Sequence, residues 1–168
     1  MTTSRVAVNG YGVVGKRVGD AVRAMPDMEV VGVADVPVAG RLEGLLGLVN
    51  VVVDTTPKKV AAANLDRYRT AGIKAVLQGG EAHATTGHSF VAQAHYATAL
   101  GRDATRAVSC NTTSIVRVLG ALHNAGLLAR SRGGAAGRPA DRVLPYGGRP
   151  GRAEHDRRAD ARPGAAPR

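Results

Sequence analysis

The chain has 168 residues, a net charge of +10 and a single cysteine. This length suits one domain or one and a half. One thiol excludes an internal disulfide framework and any multi-cysteine zinc site, which fits a reducing, cytoplasmic setting. No run of about 18 apolar residues is present, so no membrane-spanning helix is expected; "MTTSRVAVNGYG" reaches a glycine cluster before any long apolar run, so no signal peptide is expected either.

In chain order, "SRVAVNG" alternates polar and apolar residues, as a strand does. After Gly15, the residues Val18, Ala21, Val22 and Met25 recur at helical spacing and predict one apolar face. "MEVVGVAD" is an apolar run typical of a buried parallel strand. A short segment, "RLEGLLGL", leads into another, "VNVVVDTT". In "TPKKVAAANLDRYRTAG", Thr56 is the expected N-cap, Pro57 the first helical residue and Gly72 the stop. Val60, Asn64, Tyr68 and Ala71 share one face of that helix. "IKAVLQGG" is a strand closed by glycines. Residues 81–104 carry a weaker pattern, with a helix in "FVAQAHYATALG" that Gly101 ends. "TRAVS" is a strand, and "CNTTSIVRVLGALHNAG" a helix whose expected buried stripe is Ile115, Val118, Leu119 and Leu122. Strands alternating with helices predict an α/β fold, a parallel sheet with helices on both sides.

Gly10, Gly12 and Gly15 form G-x-G-x-x-G between a strand and a helix, inside a strand–helix–strand unit. That context turns a weak pattern into a dinucleotide-binding signature and makes the fold Rossmann-like. Gly10 permits the tight turn, Gly12 the approach of a pyrophosphate, and Gly15 the close packing of the helix. Asp35, 20 residues after Gly15 and at the end of the second strand, can accept hydrogen bonds from the ribose of NAD.

Past about Leu128 the composition changes. Residues 130–168 hold 7 glycines and 5 prolines, and every basic side chain there is arginine. They carry +6 of the net charge, against +4 for the rest. Such a segment cannot bury enough apolar surface to offset its ordering entropy, so disorder is expected over 129–168, after a domain spanning 1–128. A basic tail can bind nucleic acid by charge. Tyr146 is its only aromatic residue, so stacking on single strands is not supported, and nucleic acid is not the expected partner. A dinucleotide-binding module without catalysis is the other reading.

Cys110 stands at the start of a predicted helix, where the positive end of the dipole favours thiolate. Asn111, Thr112 and Thr113 beside it are candidate caps and oxyanion donors. A buried, inert thiol is the competing reading from spacing alone.

"VNGYGVVGKRV", "DTTP", "NLDRYRTAGIKAVLQGGE" and "VSCNTTSIVR", in this order, resemble the archaeal-type (type II) glyceraldehyde-3-phosphate dehydrogenases over about residues 4–126. The resemblance implies phosphorylating oxidation of glyceraldehyde 3-phosphate with NAD or NADP in glycolysis and gluconeogenesis. It makes Cys110 the nucleophile, Ser109 and Asn111 substrate contacts, and Val13, Val14 and Gly80 cofactor contacts. The thiolate would attack the aldehyde, hydride transfer would leave a thioester, and inorganic phosphate would cleave it. No metal is implied; Glu81, His83 and His88 read as solvated loop residues.

The sequence departs from that family in three places. Only Ala34 to Pro37 stand where the family has some tens of residues, and Asp35 falls where many members carry a lysine favouring NADP. The family's second domain, with its catalytic histidine, its phosphate contacts and the surface of its homotetramer, is not matched. None of His83, His88, His95, His123 and His155 fits the place of that histidine. The Arg/Gly/Ala/Pro tail has the composition of a shifted reading frame. A truncated, poorly active member is the expectation.

Overall fold

The computed structural model describes residues 2–35 and 41–131. Among the described residues six strands and six helices alternate: β1 (Ser4–Asn9), α1 (Val13–Arg23), β2 (Met28–Ala34), α2 (Arg41–Leu46), β3 (Val51–Asp54), α3 (Val60–Thr70), β4 (Lys74–Leu77), α4 (His83–Thr86), β5 (Ser89–Phe90), α5 (Ala92–Ala99), β6 (Ala104–Ala107) and α6 (Cys110–Asn124); α4 and β5 are not among the elements read from the sequence. The strands form one sheet in the order β2-β1-β3-β4-β6-β5, and every pairing is parallel. Most of the expected tail, residues 132–168, lies outside the described residues.

Alternation along each strand sends neighbouring side chains to opposite faces. Ala7, Val52, Ala75 and Leu77 point to one face, where α2 and α3 cover them with Leu42, Leu46, Ala61, Leu65 and Tyr68. Val6 and Val8 point to the other face and are buried, on the side where α1 crosses β1, β2 and β3. The glycines Gly15 and Gly19 are buried on α1 with Val22, which brings that helix close to the sheet.

Three sequence expectations are corrected. "MEVVGVAD" is a parallel strand but not a buried one: among the described residues β2 is an edge of the sheet, with Met28 and Val33 exposed. The third helix begins at Val60 rather than at Pro57, because Lys59 takes a left-handed conformation (φ 78°) as its N-cap and Thr56 is drawn into the core by Asp54. The buried residues of this helix are Ala61, Leu65 and Tyr68. The expected stripe on α6 is uncovered: Val118 is 61% exposed, Ile115 and Leu122 are also exposed, and only Val116 and Gly120 are buried. Spacing placed those side chains on one face, but α6 leans mainly on α5. Gly72 (φ 69°) and Gly101 (φ 80°) do end their helices as expected.

A polar cluster holds the β5 end of the sheet. His88 is buried; its Nδ1 pairs with Thr105 Oγ1 of β6 at 2.7 Å and its Nε2 with Thr98 Oγ1 of α5 at 3.1 Å. The ring of His95 meets it edge-on at 6.2 Å. Burial, then the charges of Arg102, His95 and His83, hold His88 below its ordinary 6.5, and burial does the same to His95. Below about pH 6.5 the unfolded chain therefore binds protons that the folded chain refuses, so stability present above that pH is lost as pH falls through the folded values. The thermal midpoint should drop between about pH 7.5 and 5.5, and His88→Gln should flatten that slope. Equal slopes in parent and variant, by circular dichroism melts, would exclude His88 as a source.

Candidate functional site

All six strands run the same way, so their C-terminal ends share one edge of the sheet. From β1 the chain winds outward to β2, then returns to the other side as β3. The crevice between the ends of β1 and β3 is the switch point, where doubly wound sheets bind ligands. The glycine loop lies there.

Each glycine has its own reason. Gly10 has φ 87°, and a Cβ on it would stand 2.8 Å from the Thr56 nitrogen. A Cβ on Gly15 would stand 1.9 Å from the Gly10 carbonyl oxygen. Both are therefore demanded by the chain's own packing. A Cβ on Gly12 would meet nothing within 4 Å. The space above Gly12 is open, as the approach of a phosphate requires. Gly12 is also the N-cap of α1, with no side-chain hydrogen bond and no acidic residue in the first turn. No side chain caps the first N–H groups of α1. Val13 and Val14 follow, 75% and 44% exposed, and give the loop an apolar surface.

Asp35 directly follows β2 and is exposed. The carbonyl of its neighbour Ala34 accepts from the Gly10 N–H at 2.8 Å, so Asp35 begins beside the glycine loop. Gly80 (φ 86°) is exposed in the turn after β4. That turn packs on the one after β3: a Cβ on Gly79 would stand 2.4 Å from the Thr56 carbonyl oxygen. Glu81 is buried, not solvated as expected. Its Oε2 accepts from the Gly79 N–H, and its backbone carbonyl accepts from Arg106 Nη1 at 2.9 Å. His83 pairs with Ser89 Oγ at 3.0 Å. Among the described residues no three His, Cys, Asp or Glu side chains gather as metal ligands do.

Cys110 opens α6 and is exposed, so the thiol is not a buried core residue. Its Sγ–H donates to Asn111 Oδ1 at 3.9 Å. The cap of this helix is Ser109 rather than Asn111, Thr112 or Thr113: Ser109 Oγ accepts from the Thr112 N–H at 3.2 Å. Ser109 precedes the helix with extended backbone (ψ 155°), the geometry in which a serine reaches forward to cap. His83 and His88 take their partners elsewhere, and His123 lies in the last turn of α6.

One group of residues at this edge was not read from the sequence. Asp54, the last residue of β3, is fully buried. Its Oδ1 accepts from the Thr56 N–H at 2.9 Å and the Thr56 hydroxyl at 2.5 Å. Its Oδ2 accepts from the Tyr68 hydroxyl at 2.6 Å, Asn9 Nδ2 at 3.1 Å and Asn64 Nδ2 at 3.2 Å. Asn9 also donates to the Tyr68 oxygen at 2.9 Å. Burial, then the hydrogen bond to Asp54 and its charge, push the Tyr68 phenol above its ordinary range, so it stays a donor. The available signal was an acid ending an apolar strand, with Asn64 and Tyr68 four residues apart on one helix face.

No model of a known protein family matches the chain. Among solved structures, aspartate semialdehyde dehydrogenase II of Vibrio cholerae superposes with a TM-score of 0.58, at 15% identity over 74% of this chain and 47% of the other. UDP-N-acetylglucosamine 3-dehydrogenase of Acidithiobacillus ferrooxidans superposes with a TM-score of 0.52, at 20% identity over 75% and 44%. The fold is thus a Rossmann-like parallel sheet, as in these two dehydrogenases. Among curated relatives, the chain is 44% identical to glyceraldehyde-3-phosphate dehydrogenase of Methanococcoides burtonii over 153 residues, 73% of this chain and 46% of the relative. It is 42% identical to that of Methanothermobacter thermautotrophicus over 146 residues, 68% and 43%. Over the matched span the chain is glyceraldehyde-3-phosphate dehydrogenase-like, and it spans less than half the length of these relatives. The span exceeds the share of this chain that it covers, so the relatives carry residues inside it that this chain lacks.

Proposed function

We propose that the chain supplies the dinucleotide site and the nucleophile of a phosphorylating glyceraldehyde-3-phosphate dehydrogenase. The observation that carries this reading is the glycine loop: open above Gly12, with an uncapped helix behind it, at the switch point of the sheet whose same edge presents an exposed thiol. The cofactor is NAD or NADP, which accepts hydride when bound. The N–H groups of the first turn of α1 would hold its pyrophosphate. Val13, Val14 and Gly80 would contact it, and Asp35 its adenosine ribose. Cys110 would attack the aldehyde of glyceraldehyde 3-phosphate, Ser109 and Asn111 would meet the substrate, and inorganic phosphate would release the acyl group.

No helix among the described residues is long and apolar enough to cross a membrane. The reading places the enzyme in the cytoplasm, where a lone exposed thiol stays reduced. The family's homotetramer is assigned to the second domain and is not proposed for this chain alone. A second reading, dinucleotide binding without turnover, is favoured by one observation: the thiol's hydrogen-bond partner is Asn111, not a histidine.

Cofactor titration by calorimetry tests the site. NAD should bind more tightly than NADP, because Asp35 accepts from ribose hydroxyls and repels a 2′-phosphate. Asp35→Ser should narrow the preference about tenfold, the worth of one charge-assisted hydrogen bond. Tighter binding of NADP by the parent chain would refute the assignment of Asp35; absence of binding to either would refute the dinucleotide site.

A further inference from the structure

The buried carboxylate of Asp54 has no role in the reading above, yet it lies under the glycine loop. Resting on that dinucleotide site, we infer that Asp54 and Tyr68 are positioning residues for the cofactor: they hold the glycine loop in its binding shape without touching the ligand.

Placement comes first. Asn9 and Asp54 are register partners, each the last residue of its strand, and flank the switch point. Gly10 follows one and Thr55 the other. The five donors on Asp54 come from β1, from α3 and from the turn after β3. The carboxylate thus ties together the three elements that meet beneath the loop.

Two turns are then fixed against each other. The Thr56 N–H, held by Asp54 Oδ1, is the group a Cβ on Gly10 would strike first. Thr55 donates from its hydroxyl to the Gly10 carbonyl at 2.5 Å and from its N–H to the Asn9 carbonyl at 2.8 Å. The carbonyls of residues 9 and 10 are thereby engaged just before the start of α1, whose N-cap Gly12 has open space above it.

Energetics favour a use for this charge. Among the described residues no cation pairs with Asp54. A buried carboxylate balanced by neutral donors alone is costly, and an apolar side chain of similar volume serves stability as well or better. What an apolar side chain cannot do is fix five donors in direction. Tyr68 is the hinge of the arrangement, since its hydroxyl both donates to Asp54 and accepts from Asn9.

The test uses Asp54→Asn and Tyr68→Phe in the whole chain. The Asn variant keeps the shape of the side chain but turns a donor toward donors; the Phe variant keeps the ring and removes one link. For each, the NAD dissociation constant is measured by calorimetry, and amide hydrogen exchange of the sheet strands β4 and β6 well below the thermal midpoint. The expected result is a dissociation constant raised about tenfold by Asp54→Asn and about threefold by Tyr68→Phe, with exchange in β4 and β6 unchanged. A general loosening would speed that exchange in step with the loss of NAD, and that result overturns the inference. Should Asp54→Asn not fold, Tyr68→Phe alone decides. Wild-type affinity in the variants overturns the positioning role and leaves the dinucleotide site standing. Failure of the unmodified chain to bind NAD removes the site and this inference together.

Discussion

Gly15→Ala should lower the thermal midpoint by about 10 °C. The new methyl group would stand 1.9 Å from the Gly10 carbonyl oxygen, which is backbone and cannot rotate away. Either α1 shifts outward or the loop opens, and such overpacking costs about 3 kcal/mol. For a domain of this size that corresponds to a shift on the order of 10 °C. Gly12→Ala is the control. Its methyl group would meet nothing within 4 Å, and its backbone (φ −74°) suits any residue, so the stability cost stays within about 1 kcal/mol, that of an inferior N-cap. NAD affinity should nevertheless fall more than tenfold, because the methyl group fills the space assigned to the pyrophosphate. The two glycines thereby separate a packing role from a binding role. Equal melting of Gly15→Ala and parent would show that the loop is softer than its geometry indicates. Unchanged NAD affinity in Gly12→Ala would take the pyrophosphate away from this loop.

The second large effect concerns turnover. Cys110 is exposed at the start of a 15-residue helix, so iodoacetamide should label it stoichiometrically in the native chain, and Cys110→Ser should remove the label. Phosphate-dependent reduction of NAD with glyceraldehyde 3-phosphate should be near background for the purified chain. Its thiol has Asn111 as hydrogen-bond partner, and loss of a positioned acid–base group costs about 10²–10⁴-fold. Mass spectrometry and absorbance of the reduced nicotinamide report the two halves separately. Robust turnover that Cys110→Ser abolishes would overturn the second half and establish the first. A native chain that resists alkylation would contradict the exposure of the thiol.

The parts legible in the sequence are those that local chemistry determines. A G-x-G-x-x-G between a strand and a helix needs no knowledge of distant residues: Gly10 turns with φ 87°, and Gly15 is confined by the Gly10 carbonyl of its own loop. Gly72 and Gly101 mark helix ends for the same local reason. The errors lie where a tertiary partner decides. Thr56 has the composition of a cap, but the buried carboxylate two residues earlier takes both its N–H and its hydroxyl. Spacing grouped Asn64 with Tyr68 correctly, as both reach Asp54, yet nothing in the sequence says that Asn9 waits on the far side. On α6 the spacing identified an apolar face but not whether anything covers it. The short elements α4 and β5 have too few residues to show a period.

The place of β1 between β2 and β3 has a consequence for the order of events during synthesis. Asn9 pairs with Asp54, 45 residues further along the chain. At about 5–20 residues per second, roughly 2–9 s separate their emergence from the ribosome. For that interval Val6, Ala7 and Val8, which end up among the most buried residues of the sheet, have at most β2 beside them and no partner on the other side. Asn9, with Asp54 and Tyr68 still to come, has nothing to donate to except water. The strand made first is thus completed late, and the glycine loop that follows it reaches its final shape only when α3 has been translated and has brought the Tyr68 hydroxyl into place.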